Sequence, residues 1–126
     1  MRLLLDTNAL LWSLLEKRRL SASVADAIAD ESNNVFVSVV SIWEIEIKRA
    51  KGRLHVPPEI EPSLSAQRFR SLSITLQHVQ AVESLPRHHR DPFDRMLIAQ
   101  AQLESLTLVS ADRAMRRYPV AVLSAS

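Results

Sequence analysis

Five short apolar runs alternate with segments of helical length, and this alternation constrains the fold more than any other feature of the chain. The runs are Leu3–Leu5, Val35–Val39, Leu72–Ile74, Thr107–Val109 and Val120–Leu123. They are brief and rich in branched or aromatic residues, as buried strands are. Helices are predicted over Ala9–Leu15, Ser23–Glu31 and Ser41–Lys51, the last stopped by Gly52. Thr75 caps a further helix through Glu83. Asp91 and Pro92 open a strong one through Glu104, because proline is favoured at the first helical position. Ala114–Arg117 reads as a short helix and Pro86–Arg90 as a polar loop. Pro57-Pro58 and Pro62 mark a loop, with a short helix possible before Phe69. Strands alternating with helices predict an α/β fold. Its central sheet is parallel, has about five strands and is flanked by helices on both faces, a Rossmann-like three-layer architecture. No repeat, linker or low-complexity segment divides residues 1–126, so a single domain is expected.

Composition removes several classes. The 126 residues are 47% hydrophobic, enough for a core and too many for disorder. There is no cysteine, which excludes a thiol nucleophile and cysteine-based zinc sites and suits a reducing cytoplasm. One glycine, Gly52, excludes a dinucleotide fingerprint and a phosphate-binding P-loop. The apolar start is broken by Asp6 and Asn8 and lacks a cleavage site, so it reads as strand and helix rather than a signal peptide. No run approaches the ~20 apolar residues of a membrane span. Net charge is only +2, but the basic residues cluster: Lys48, Arg49, Lys51 and Arg53; Arg87, Arg90 and Arg95; Arg113, Arg116 and Arg117. Such clusters bind phosphate backbones or form a solvated face.

Four acids stand where strands end or helices begin: Asp6, Glu44, Asp94 and Asp112. In open parallel sheets, ligands bind beyond the carboxyl ends of the strands. Carboxylates meeting there suit a hard divalent cation and phosphoryl chemistry. Each acid also has a structural explanation. Asp6 and Asp112 are good helix or turn caps. Ser41 to Glu44 matches a capping box, in which the glutamate turns back to its own N-cap, and Lys48 could pair with it at i+4. Asp91 is a natural N-cap, whereas Asp94 lies one step inside a helix whose Met96–Ala101 stretch should be buried. Asn8 and Ser110 could support a ligand or a bound water. His88-His89 is expected to be exposed, with a phosphate contact as the lesser alternative, and Trp12 and Trp43 to be packing residues.

Together these segments resemble the PIN domain, and within it the VapC toxins of bacterial toxin–antitoxin pairs. The resemblance covers nearly the whole chain. It rests on Leu-Leu-Leu-Asp6-Thr-Asn8-Ala-Leu-Leu-Trp12, Ser41-Ile-Trp-Glu44-Ile, His-His-Arg-Asp91-Pro-Phe-Asp94-Arg-Met-Leu-Ile-Ala-Gln-Ala and Leu-Val-Ser110-Ala-Asp112. Relatives often carry His in place of Asn8 and Thr in place of Ser110. The resemblance implies a Mg²⁺- or Mn²⁺-dependent endoribonuclease with Asp6, Glu44, Asp94 and Asp112 as its metal and catalytic set, joined or merely supported by Asp91. Lys48, Arg95 and Arg113 are the candidate phosphate contacts. It further implies a VapB-like antitoxin that covers the site and a homodimer. The apolar Ala9–Leu15 helix could serve the dimer or the core. A phosphomonoesterase with an aspartyl nucleophile, and a non-catalytic RNA- or protein-binding module, are the alternatives. The first would want a second acid where Asn8 stands, and the second sits poorly with all four carboxylates present.

Overall fold

The computed structural model of the chain describes residues 1–53 and 60–126. Five strands form one sheet: β1 (Arg2–Leu5), β2 (Asn34–Ser38), β3 (Arg70–Leu72), β4 (Thr107–Ser110) and β5 (Val122–Ser124). Their order is β3-β2-β1-β4-β5, and every pairing is parallel. Helices α1 (Thr7–Leu15), α2 (Ala22–Ala29), α3 (Val39–Ala50), α4 (Ile60–Ala66), α5 (Leu76–Ser84) and α6 (Pro92–Glu104) connect them. Tight turns at Lys17–Arg19 and Arg113–Arg117 complete the described elements.

Successive strand residues point to opposite faces, and both faces here are apolar. Leu3, Leu5, Val35, Val37 and Val109 pack with Ala9, Leu10 and Val24 of α1 and α2. Leu4 and Leu108 pack on the other side with Leu97, Ile98 and Ala101 of α6 and with Leu85. Helix α3 contributes Ile45 to the first layer and Val40 to the second. The expected three layers are therefore present. The Ala9–Leu15 segment belongs mainly to the core: Ala9 and Leu10 are fully buried, and Leu15 is the residue left exposed.

Some boundaries differ from expectation. The sheet pairing of β2 ends at Ser38, opposite Leu72. The Ser38 hydroxyl accepts from the Val40 amide at 3.1 Å and caps α3, which therefore starts at Val39 rather than Ser41. β3 lies two residues before the predicted Leu72–Ile74, and Ile74 packs against the α6 layer from beyond the strand. β5 starts at Val122 rather than Val120. Pro62 falls in the first turn of α4, where its missing N–H has no helical partner to lose. Pro57-Pro58 lies outside the described residues. Among the described residues, no helix is long and apolar enough to cross a membrane.

The chain runs outward from β1 through β2 to β3, then returns to the far side of β1 with β4 and β5. The order reverses between β1 and β4, so the crevice at their carboxyl ends is the place where a ligand site is expected. Leu4, central in that pair and fully buried, ties the sheet to α6. Leu4→Ala should destabilise the fold by about 2–5 kcal/mol in urea denaturation. Leu103→Ala, at a position 48% exposed, should change it by about 0.5 kcal/mol or less.

Candidate metal centre

Asp6 and Asp112 leave the carboxyl ends of the two strands that flank the switch point. The Asp6 amide donates to the Val109 carbonyl at 3.0 Å, extending the β1–β4 ladder one residue past Leu5. Its side chain is buried, and Oδ1 accepts from the Ala9 amide at 2.8 Å, capping α1. Ser110, at the end of β4, hydrogen-bonds the Asp6 carboxylate. The Ser110 hydroxyl also accepts from the Asp112 amide at 3.0 Å. It thus ties the two acids together. Asp112 uses Oδ1 to cap the Arg113–Arg117 turn, through Ala114 at 2.9 Å, and turns Oδ2 to His89.

Glu44 reaches the same edge from α3. Because that helix starts at Val39, Glu44 is in its second turn and no capping box forms. Its Oε1 instead accepts from the Thr7 hydroxyl at 2.6 Å, and its Oε2 pairs with Lys48 at 3.1 Å. Thr7 was not singled out in the sequence. Its position directly after Asp6, at the first turn of α1, is the one available signal.

Helix α6 brings the fourth acid. Asp91 caps it, accepting from the amides of Phe93 at 2.8 Å and Asp94 at 3.3 Å. Asp94 therefore stands in the first turn, facing inward, with His89 Nε2 3.1 Å from its Oδ2. The same Nε2 lies 2.7 Å from Asp112 Oδ2. His89, Asp94 and Asp112 offer potential ligand atoms all within 4.8 Å of one another. The expectation that His88-His89 is exposed is corrected for His89, whose side chain is 14% exposed. His88 does remain exposed and stacks edge-on against Tyr118.

The electrostatics follow from this crowding. Burial pushes the Asp94 carboxyl up to about 7, reinforced by the charges of Asp91, Asp6 and Glu44 and opposed by His89. Burial also raises Asp6, against hydrogen bonds from Ser110 and Ala9, with Asp112 and Glu44 adding to the rise. Asp112 is more open. Partial burial pushes it up, but the Ala114 amide and the His89 ring together hold it below the ordinary carboxylate range. Any two carboxylates ~5 Å apart repel by about 3 kcal/mol at an effective dielectric of ~20. An all-oxygen set in which burial and neighbouring carboxylates raise Asp6 and Asp94 fits a divalent cation.

The peripheral candidates divide. Asn8 is exposed in the first turn of α1, and Arg113 is exposed beside a polar cavity of about 210 Å³ that Ser110 and Asp112 also line. Arg95 is corrected as a phosphate contact. Its guanidinium turns inward to the carbonyls of Val82 (2.8 Å), Pro86 (3.0 Å), Leu85 and His89 (3.4 Å each), pinning the loop that carries His89. Trp12 packs as expected, with Arg19 over its face. Trp43 does not: it is 59% exposed, edge-on to Phe93.

Fold and site together are a five-stranded parallel α/β sheet with an acidic cluster at its switch point. The sequence matches the PIN domain family over residues 3–121, and the chain belongs to that family. A search of curated protein sequences returns no match. Similar solved structures include VapBC2 from Rickettsia felis bound to a DNA fragment from its promoter (TM-score 0.74, 15% identity, 100% of each chain). DNA-bound VapBC from Salmonella typhimurium is similar too (0.70, 17%, 98% of each). So is a toxin–antitoxin complex from Klebsiella pneumoniae (0.65, 19%, 96% of this chain and 95% of that one). At these identities the likeness is one of fold.

Two thermal measurements test the centre. Without metal, Asp94 keeps a proton up to about pH 7, whereas an unfolded aspartate loses it near 4. The folded state binds more protons across that window, so stability should fall as pH rises through it. Asp94→Asn should flatten the fall in melts with EDTA. Mn²⁺ or Mg²⁺ must displace the proton, so either ion should raise the wild-type melting temperature more at pH 8 than at pH 6. Equal shifts at both pH values, or an undiminished shift in Asp94→Asn, would show that the ion does not bind here.

Proposed function

We propose that this protein is a Mg²⁺- or Mn²⁺-dependent endoribonuclease, the toxin of a toxin–antitoxin pair. One observation carries the reading: Asp6, Glu44, Asp94 and Asp112, distant in sequence, converge at the switch point of a PIN-family sheet.

Asp6, Asp94 and Asp112 would hold the ion. A bound divalent cation supplies a water of lowered pKa and offsets charge developing on a phosphate. Glu44 stands beside the three, fixed by Thr7 and Lys48. It would accept a hydrogen bond from the attacking water and orient it toward phosphorus. Ser110 would keep Asp6 and Asp112 at a constant separation. Arg113, and Lys48 where Glu44 leaves it free, would contact flanking phosphates.

The partners follow from the similar folds. Those structures are toxin–antitoxin complexes by description, which supports a VapB-like antitoxin covering the acidic opening, with a basic side chain entering it. A homodimer and a cytoplasmic location belong to the same reading.

Purified, antitoxin-free protein is incubated with end-labelled total RNA in Mg²⁺, in Mn²⁺ and in EDTA, beside Asp94→Asn. Discrete cuts are expected with either metal. EDTA should abolish them, and the variant should lose at least ~100-fold in rate, as removal of a main electrostatic group does. RNA retained but uncut would replace the reading with a binding module. Hydrolysis of a chromogenic phosphate monoester with RNA left intact would replace it with a phosphatase.

A further inference from the structure

We propose that His89 is a catalytic residue that donates a fixed hydrogen bond to the substrate phosphate, and that it is not a metal ligand. The inference rests on the nuclease reading above and adds a residue outside the acidic set.

Hydrogen-bond accounting fixes the ring. His89 Nδ1 lies 3.1 Å from the Asp91 amide, which can only donate. An accepting Nδ1 carries no proton, so the ring proton is on Nε2. Nε2 is the atom facing Asp112 Oδ2 at 2.7 Å and Asp94 Oδ2 at 3.1 Å. A metal-bound imidazole needs the opposite arrangement: a bare nitrogen toward the ion and an N–H toward an acceptor behind it. Behind His89 stands a donor. The Asp91 amide therefore selects the form that gives a hydrogen bond and disfavours the form that ligates.

The loop holds that N–H in place. The His89 amide donates to the Tyr118 hydroxyl at 2.9 Å, and that hydroxyl donates to the Pro86 carbonyl at 2.8 Å. Arg95 gathers the carbonyls of Leu85, Pro86 and His89 and ties them to that of Val82 in α5. One N–H thus points between two carboxylates from a ring that is itself largely buried, on a loop tied down by Tyr118 and Arg95. An ion held by those carboxylate oxygens would weaken them as acceptors and leave the N–H available to an incoming anion. The anionic acceptor that then enters the centre is a non-bridging phosphate oxygen. A preoriented donor there stabilises charge developing on phosphorus without reorganisation.

The test has two arms. Imidazole ¹⁵N NMR of labelled protein, with the resonance assigned by its loss in His89→Gln, is expected to show protonated Nε2 and bare Nδ1, both without metal and at saturating Mg²⁺. Inorganic phosphate added to the Mg²⁺-loaded protein should shift the Nε2–H signal. In the second arm, His89→Ala should slow single-turnover RNA cleavage ~10²–10³-fold. His89→Gln, which keeps a donor, should recover about tenfold of that loss. The Mg²⁺ midpoint in thermal melts should stay within about threefold of wild type in both variants. An Nε2 that loses its proton on adding Mg²⁺, or a midpoint weakened more than about tenfold, would make His89 a ligand. Wild-type cleavage rates in His89→Ala would remove it from the chemistry. If His89→Ala does not fold, the Gln variant and the NMR arm decide. A wild-type protein that cuts no RNA sinks the ribonuclease reading, while the tautomer and the phosphate shift still settle whether His89 is a donor.

Discussion

The parallel pairing of β1 with β4 sets the geometry on which the site depends. Leu5 stands opposite Val109, and the ladder continues one step further through the Asp6 amide. That extra hydrogen bond fixes where Asp6 leaves the sheet, and Ser110 then links it to Asp112. The register cannot slip without turning the Leu3–Leu5 and Thr107–Val109 side chains to the wrong faces. Those residues are almost wholly buried, so the apolar core and the spacing of two carboxylates are one constraint. Glu44 and Asp94 are added to this frame by helices that pack on it.

Three of the acids near the centre also cap a helix or turn: Asp6 caps α1, Asp91 caps α6 and Asp112 caps the Arg113–Arg117 turn. Capping and site roles compete on paper because both want the same carboxylate. In the structure they are compatible. A carboxylate has two oxygens, and Asp112 uses one for the Ala114 amide and the other for His89. Capping further stabilises negative charge at each helix start through the local dipole. Asp94 lacks that double duty. It is inside the helix and mostly buried, and burial together with the charges of Asp91, Asp6 and Glu44 pushes its carboxyl up to about 7.

The layers, the strand count and the carboxylate edge were legible because they follow from local apolar density. Leu-Leu-Leu before Asp6 can be little else than a buried strand. Glu44 was placed on the right edge for a partly wrong reason. Ser38 and Ser41 are both plausible caps, and the choice is made by pairing of Ser38 with Leu72, some thirty residues away. Thr7 was invisible as a site residue and His89 carried only a lesser reading as a phosphate contact, for the same cause. Each matters through a partner far along the chain, Glu44 and Asp112 respectively. A histidine between two arginines in a polar loop has no local mark to separate an exposed ring from one held by Tyr118 and Arg95.

The basic clusters show how composition overstates a surface. Arg95 spends its guanidinium on backbone carbonyls, Lys48 on Glu44 and Arg49 on Glu46. Arg87, Arg90, Arg113, Arg116 and Arg117 remain exposed, the first two in the His89 loop and the others just past Asp112. A polyanion approaching this edge meets attraction from the rim and repulsion from the carboxylates within. Both act over about a Debye length, ~8 Å at physiological salt. The rim alone would hold a phosphate outside the centre. Only neutralisation of the acids lets it enter. A divalent ion held by Asp6, Asp94 and Asp112 would therefore serve the proposed substrate twice, offsetting the repulsion that keeps a phosphate out and supplying the charge that assists its hydrolysis. On the proposed reading, the charges would have the ion bind first and the nucleic acid second.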